Sequence, residues 1–434
     1  VKKFFGWFFL ILLLLGLLTY SWLEYRQYRS YQTQIHPKAE TLVRIQLDGI
    51  IKSMLGNISG NLGYVRNHWK TKKGQGIFQQ VKSSGLLWPA NIYMYTVVGV
   101  SDTWFSSLKV KNVTAFKAFI KGLPGHWQEQ ENKDGLSQFA SQDGRYLVMF
   151  STSRVVLALA YHRLDQVAGK VCSDILLKKT IPVSESIFAK ALKADHHHIM
   201  GSAPNMDASM QFESGTISIT ASYRGNLVKG TDSLRPRRFD NNSLLKIWLD
   251  ADIHRLTERY AAVLNQKGIP VDTLNRYYGG YLVAEWKDNT LLQRDTVVSY
   301  SYNDNFEKTE QVMVREDTVP EFYLGMKASP HLLGYLPQRL IYQLHSGHHE
   351  DLLYTGTGLR FSDERMVNLT ADFFYMYADV GRIRKAANVS YLPEFSQAIK
   401  DVEFRAQQKT DNVFMEGNIT LQDPKVNSLL QLFR

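Results

Sequence analysis

Apolar and polar residues follow different periods in successive parts of this chain. Phe4 to Leu23 is an uncharged, apolar run preceded by Lys2 and Lys3 and followed by Glu24, Arg26 and Arg29. About 20 such residues rise about 30 Å as a helix, enough to cross the hydrocarbon core of a bilayer. Trp7, Tyr20 and Trp22 near its ends suit interfacial anchoring, because their rings are apolar and their tips polar. No later segment repeats the pattern. The exit Leu18-Thr19-Tyr20-Ser21-Trp22-Leu23 lacks the A-x-A signal of a cleaved leader, with Thr19 and Ser21 a marginal substitute. The run is therefore expected to stay as an anchor.

Beyond it the periods mix. Leu42 to Asp48 reads as a strand leading directly into a helix. Leu244 to Asp250 does the same, continued by Ile253, Leu256, Tyr260, Val263 and Leu264 at helical spacing. Asn112 is placed to cap a helix carrying Phe116, Phe119 and Ile120, which ends near Gly122. Met206, Ala208, Met210 and Phe212 alternate with polar residues, the chain turns at Ser214-Gly215, and Ile217, Ile219 and Ala221 alternate again. That is a hairpin with one buried and one wet face. Val367, Leu369, Ala371 and Phe373 repeat the alternation, as do Val413, Met415, Ile419 and Leu421 around Gly417. The expected fold is α+β: an N-terminal transmembrane helix, then two related domains, each an antiparallel sheet with helices packed on one face.

The two domains are expected to be copies. Leu42-Val43-Arg44-Ile45-Gln46-Leu47-Asp48 matches Leu244-Leu245-Lys246-Ile247-Trp248-Leu249-Asp250 at a spacing of 202 residues. Phe212, Gly215, Ile217 and Ile219 match Phe414, Gly417, Ile419 and Leu421 at the same 202. Phe188 to Lys193 resembles Phe395 to Lys400 at 207, which a small insertion would explain. A shared spacing over most of each half is the mark of a tandem duplication. The division is an anchor over residues 1–24, a linker over 25–36, a first repeat over 37–235 and a second over 236–434. The polar stretch from Gly225 to Asn242, with Pro236 in it, carries the boundary.

Composition narrows the class. With 44% hydrophobic and 12% aromatic residues the body can bury a core, which excludes disorder as its main state. The net charge of +10 is spread over local clusters, such as His68 to Lys73, Arg235 to Arg238 and Arg382 to Lys385. Such a surface favours anionic neighbours, lipid headgroups among them, but no stacking or base-reading motif points to nucleic acid. Cys172 is the single cysteine, and its setting among Val167, Val171, Ile175 and Leu176 suggests a packed thiol. One thiol also suits an exported body, which cannot mispair. Lys2 and Lys3 only slightly outweigh the opposite flank, so the positive-inside rule tilts toward a cytoplasmic N-terminus.

Chemistry is sparse. His196-His197-His198 lies where a helix gives way to a strand, and extended backbone would put His196 and His198 on one face for a metal. His345 and His349 have the i, i+4 spacing of helical ligands, although Gly347 between them argues for a loop, and Glu350 and Asp351 adjoin. Neither stretch is HExxH, and no cysteine completes a zinc site. These four histidines are the candidate metal ligands; surface histidines are the alternative. Gly56-Asn57-Ile58-Ser59-Gly60 misplaces the serine of a nucleophile elbow, and Ser106-Ser107-Leu108-Lys109 has S-x-x-K without its companion motifs. No phosphate-binding loop occurs, so no catalytic residue and no cofactor are assigned. Trp69, Trp88, Trp104, Trp127, Tyr277, Tyr278 and the run Phe373 to Tyr377 could line an apolar groove or fill a sheet interface.

Three segments carry a family likeness: His36-Pro37-Lys38-Ala39-Glu40 leading into Leu42 to Asp48, the stretch from Phe116 to Leu159 (a helix, then four short strands), and Gly417-Asn418-Ile419-Thr420-Leu421 through Asn427-Ser428-Leu429-Leu430. The chain resembles uncharacterised single-span bacterial envelope proteins with a duplicated domain of unknown function. The resemblance implies placement and architecture, and no catalytic residues. The expectation is a single-pass inner (cytoplasmic) membrane protein, held by Phe4 to Leu23, with its body in the periplasm. There it binds or scaffolds another envelope component, protein or lipid, without catalysis. A carrier for lipid or another apolar ligand is the alternative, and a metal-assisted envelope enzyme a third.

Overall fold

The computed structural model describes residues 2–68, 83–123, 127–131, 136–225, 228–230, 239–266, 270–302, 308–335, 342–349, 352–358, 372–386 and 394–432. The chain forms two compact units: Val1–Ala221 with Asp423–Arg434, and Ser222–Gln422. Both are α+β, with helices around an antiparallel sheet.

The first unit begins with α1 (Lys2–Tyr31), one uninterrupted helix of 30 residues. Among the described residues no helix is long and apolar enough to cross a membrane. The side chains of residues 4–12, which make up the first part of the expected span, lie outside those described. Strand β1 (Ala39–Gln46) then runs straight into α2 (Leu47–Gly60) and α3 (Leu62–His68), as the change from period two to helical spacing requires. The strands that follow are β2 (Asn91–Val97), β3 (Thr103–Val110), β4 (Trp127–Glu131), β5 (Ser137–Ser141), β6 (Tyr146–Phe150), β7 (Arg154–Ala160), β8 (Ile199–Ala203), β9 (Met206–Phe212) and β10 (Thr216–Arg224). The unit ends within β10, at Ala221. The paired order is β9-β8-β1-β2-β3-β7-β6-β5-β4, antiparallel throughout.

Asn112 caps α4 (Val113–Lys121), its side-chain oxygen accepting the Ala115 amide at 3.0 Å. Phe116 and Ile120 of this helix pack with Phe139, Val148, Phe150 and Val155. A second core joins Leu42, Tyr95, Phe105, Met149, Val156 and Ala158 to α5 (Ala168–Leu176) and α6 (Ala189–Ala194) through Val171, Cys172, Ile175 and Leu192. Alternate residues of β6 and β7 enter different cores, so helices cover both faces of the sheet rather than one. The cause lies in Leu147-Val148-Met149-Phe150 and Val155-Val156, continuous apolar runs that leave no face for water. Cys172 is buried, and burial pushes its thiol up to about 12, the state of an inert packed group.

Residues 423–434 belong with this unit, whereas their spacing assigned them to the second repeat. Val426 and Leu430 pack on Met54 of α2. Asn427 takes the Asn57 side-chain oxygen on its amide at 2.8 Å and donates to Ser53 Oγ at 3.0 Å. Gly215, at φ +70°, turns β9 into β10 and donates to the Val426 carbonyl at 2.8 Å. A Cβ there would collide with the Pro424 backbone.

The second unit uses β11 (Leu245–Asp252), then α7 (His254–Arg259), α8 (Ala261–Gln266) and α9 (Val271–Tyr277). Its later strands are β12 (Tyr278–Tyr302), β13 (Lys308–Ala328), β14 (His345–His349), β15 (Leu352–Gly356), β16 (Asp372–Asp379), β17 (Ile399–Lys409) and β18 (Asn412–Leu421), with α10 (Val380–Ala386) between β16 and β17. Their order is β18-β17-β16-β11-β12-β13-β15-β14. From β17 to β14 this is the order, direction and sequence of connections seen in the first unit from β9 to β6. The residues of Val367 to Ala371 lie outside those described.

The equivalence supports only part of the 202-residue matching. The strands β1 and β11 occupy the same central place. Gly215 is a turn residue, but Gly417 lies within β18, opposite Phe404. Phe188 to Lys193 precedes β8, whereas Phe395 to Lys400 runs into the start of β17, one strand further along. Similar alternation produced those matches without similar position.

Beyond the sheet, β12 and β13 continue as a two-stranded ribbon paired from Thr290–Pro320 to Tyr302–Lys308. About 13 residues per strand carry it roughly 40 Å. Leu292, Val312 and Val314 on it are 71%, 64% and 65% exposed, a degree of apolar exposure that core packing does not explain.

In the first unit Arg44 is 1% exposed and donates to the carbonyls of Leu192 (2.6 Å), Asp195 (3.0 Å) and His197 (3.2 Å) and to the Asp195 carboxylate at 3.0 Å. Removing it orphans those carbonyls and takes the arginine from the partly buried Asp195 carboxylate. Arg44→Ala is expected to destabilise the unit by about 3–5 kcal/mol, measured by urea unfolding. A loss below about 1 kcal/mol would contradict this role.

Candidate functional site

The last two turns of α1 do not run free of the body. Trp22, Tyr25, Arg26 and Arg29 recur at i, i+3, i+4 and i+7, so they share one face of the helix. Arg26 grips Asp48 at the start of α2 with two hydrogen bonds, Nε at 3.0 Å and a terminal nitrogen at 2.9 Å, and reaches the Trp88 carbonyl at 3.3 Å. Its guanidinium also lies 4.8 Å from the Trp22 ring centroid. A fork-on-carboxylate pair fixes direction as well as distance. One turn on, the buried Ser30 hydroxyl donates to the Asn91 carbonyl at 3.2 Å and accepts the Asn91 amide at 3.0 Å. Gln27 accepts the Asn91 side chain at 2.8 Å, and Tyr31 donates to the Leu192 carbonyl at 3.3 Å. The helix end is thus built into the first strand layer.

Between this helix face and the ends of strands β3 and β7 lies a groove of about 730 Å³. Its walls are Trp22, Tyr25 and Tyr28 on α1, Leu87-Trp88-Pro89 before β2, Ser107 and Lys109 on β3, and Arg154 at the start of β7. Trp22, Tyr25, Tyr28 and Leu87 are all more than half exposed. Among the described residues the lining includes four cations, Arg26, Arg29, Lys109 and Arg154, and no carboxylate. Lys109 and Arg154 stand directly opposite each other in the β3–β7 register. Burial lowers the Lys109 ammonium from its usual range, and the neighbouring Arg29 and Arg154 lower it further. Chemically the groove offers aromatic contact and positive charge together.

In the sequence Arg26 and Arg29 stand as flanking charges, and Lys109 stands only inside S-x-x-K. Ser106 and Lys109 fall on opposite faces of β3, as residues three apart in a strand must, so that motif makes no catalytic pair. Ser107 shares the Lys109 face and donates to the Gln34 carbonyl at 3.2 Å. Arg154 carried no sequence signal, since only strand pairing brings it to Lys109. The aromatic-basic alternation from Trp22 to Arg29 was the readable clue.

The candidate metal ligands separate by environment. His196 is exposed. His198 is 4% exposed, stacks on Phe212 and accepts the Phe212 amide on Nδ1 at 3.0 Å, while its ring also bonds to the Gly49 backbone. Its two nitrogens therefore serve the fold. His345 lies on β14, a strand rather than a helix or loop, and the side chain of His349 lies outside those described, as do Glu350 and Asp351. Among the described residues no group of three or more His, Cys, Asp or Glu side chains is arranged to hold a metal. His254, which stands in no sequence motif, has both ring nitrogens engaged, with Asp252 at 2.6 Å and the Asn275 carbonyl at 2.7 Å.

No family model and no curated protein sequence matches the chain. Among solved structures it shows distant similarity to crystal form III of TP0453, at TM-score 0.26 and 10% identity, covering 75% of this chain and 91% of that one. Crystal form IV of the same protein gives TM-score 0.26 and 9% identity over 76% and 94%. Similarity at this level carries no argument about the groove.

The His198 environment sets a pH dependence. Burial holds its pKa below the ordinary 6.5, so the unfolded chain protonates first as the medium acidifies. The first unit should lose stability as pH falls through 6.5 toward the depressed folded value. Urea unfolding at several pH values should show a steeper acid loss in wild type than in His198→Asn. Parallel profiles would contradict this assignment.

Proposed function

We propose that this chain is a membrane-tethered protein of the cell envelope that binds or scaffolds another envelope component at a fixed place above the membrane. The observation that carries this reading is the docking of α1. Its apolar N-terminal part has the composition and length of a bilayer span, and its C-terminal turns are hydrogen-bonded into the first unit through Arg26 and Ser30. A flexible linker would localise the body; a docked helix also orients it. The single buried thiol and the N-terminal lysines favour a body outside the cytoplasm, with the helix as its single pass.

The shared strand order of the units supports descent from one duplicated domain, so the tether presents a pair of related bodies. The first carries the groove beside the helix. The second carries the ribbon, whose exposed valines suit a protein partner better than water. The carrier alternative draws on the groove's aromatic wall, whereas the residues that form the two cores of the first unit pack on one another. Binding at the groove and the ribbon is the preferred assignment.

In a bacterial host the full chain should stay with membranes through alkaline carbonate. Protease should digest its body in spheroplasts but spare it in inverted inner-membrane vesicles. Release by carbonate would remove the tether, and digestion in inverted vesicles would reverse the orientation.

A further inference from the structure

The groove beside α1 holds more positive charge than its own fold neutralises. Arg26 is matched by Asp48 at 2.9 Å. Among the described residues, Arg29, Lys109 and Arg154 form no ion pair; Arg29 bonds only to the neutral Tyr25 hydroxyl, at 3.2 Å. Like charges placed directly opposite on adjacent antiparallel strands destabilise the sheet, and the register sets Lys109 against Arg154 in that way. With Arg29 facing them across the groove, the three cations repel one another around a space that an anion would occupy. The other wall is aromatic and exposed: Trp22, Tyr25 and Tyr28. Rings with polar tips beside cations are the chemistry of the membrane–water interface.

We infer that this groove binds the headgroup of an anionic phospholipid, with the phosphodiester held by Arg29, Lys109 and Arg154 and the glycerol region lying against Trp22, Tyr25 and Leu87. The inference rests on the tether proposed above, because only a membrane-spanning α1 brings the groove to headgroup depth. Arginine supplies forked donors to phosphate oxygens, and lysine adds a mobile point charge. Occupancy by the diester would relieve the Lys109–Arg154 repulsion. The protein would thereby read the charge of the leaflet it stands on.

The test uses full-length protein in a neutral detergent, titrated calorimetrically with dihexanoyl phosphatidylglycerol, dihexanoyl phosphatidylcholine and inorganic phosphate. The phosphatidylglycerol should bind saturably and at least about tenfold more tightly than the other two. Lys109→Gln and Arg154→Gln should each weaken it about fivefold, and the double variant about 25-fold. Removing either charge should leave the melting temperature unchanged or raise it, which separates lost binding from lost folding. Equal affinity for both lipids, or variants that bind like wild type, would overturn the inference. Inorganic phosphate binding as tightly as the lipid would make this a free-anion site and overturn the lipid assignment. Carbonate release with phosphatidylglycerol binding intact would remove the tether alone; retention without such binding would remove the headgroup site alone.

Discussion

The joint between α1 and the first unit is the constraint on which the rest depends. Arg26 on Asp48 and Ser30 on Asn91 couple the helix to the start of α2 and to the start of β2, two elements that flank the central strand β1. Each hydrogen bond contributes only about 1 kcal/mol net, and more where one partner is charged. Their value lies in geometry, since they act on one helix face within two turns. A helix rotated by one residue, about 100°, would take Arg26 away from Asp48 and open the groove. The same joint thus fixes the body's orientation and forms one wall of the binding site.

That arrangement explains why charge is left unbalanced where it is. Asp48 sits in the first turn of α2, where a carboxylate is favoured by the helix dipole, and neutralises Arg26. Among the described residues no comparable acid lines the groove for Lys109 and Arg154. On α4 the cations are paired: Glu129 takes Lys117 at 2.7 Å and Lys121 at 2.8 Å, which holds its carboxyl below the usual range. What distinguishes the groove is that its cations share one lining. The two units then differ in what they add to one strand order. The first adds the β4–β5 extension and helices on both faces; the second extends one hairpin into a ribbon.

Local chemistry was legible in the chain where neighbours in sequence decide it. Asn112 caps its helix, Ser214-Gly215 turns its hairpin, and Leu42 to Asp48 passes from strand to helix, each signalled by residue types within a few positions; Cys172 packs where its apolar neighbours in sequence place it on a helix face. The second face of the sheet was less legible, because a continuous run such as Leu147 to Phe150 has no period to read. Gly215 and Gly417 look alike in sequence and serve unlike places, since a glycine in a turn and a glycine opposite Phe404 both interrupt the same alternation. Half of the groove was readable in the aromatic-basic turns from Trp22 to Arg29. The other half, Lys109 with Arg154, exists only through a strand register that joins residues 45 apart.

Spin labels placed singly at Ser21 on α1 and at Lys170 on α5, both exposed and both within the first unit, report the joint directly. Pulsed electron–electron resonance on the full chain in bilayers should give one narrow distance distribution. Breaking the joint with Arg26→Gln and Asp48→Asn together should broaden it. A distribution already broad in wild type would show a freely swivelling helix, and would contradict the oriented tether on which the groove and its ligand depend.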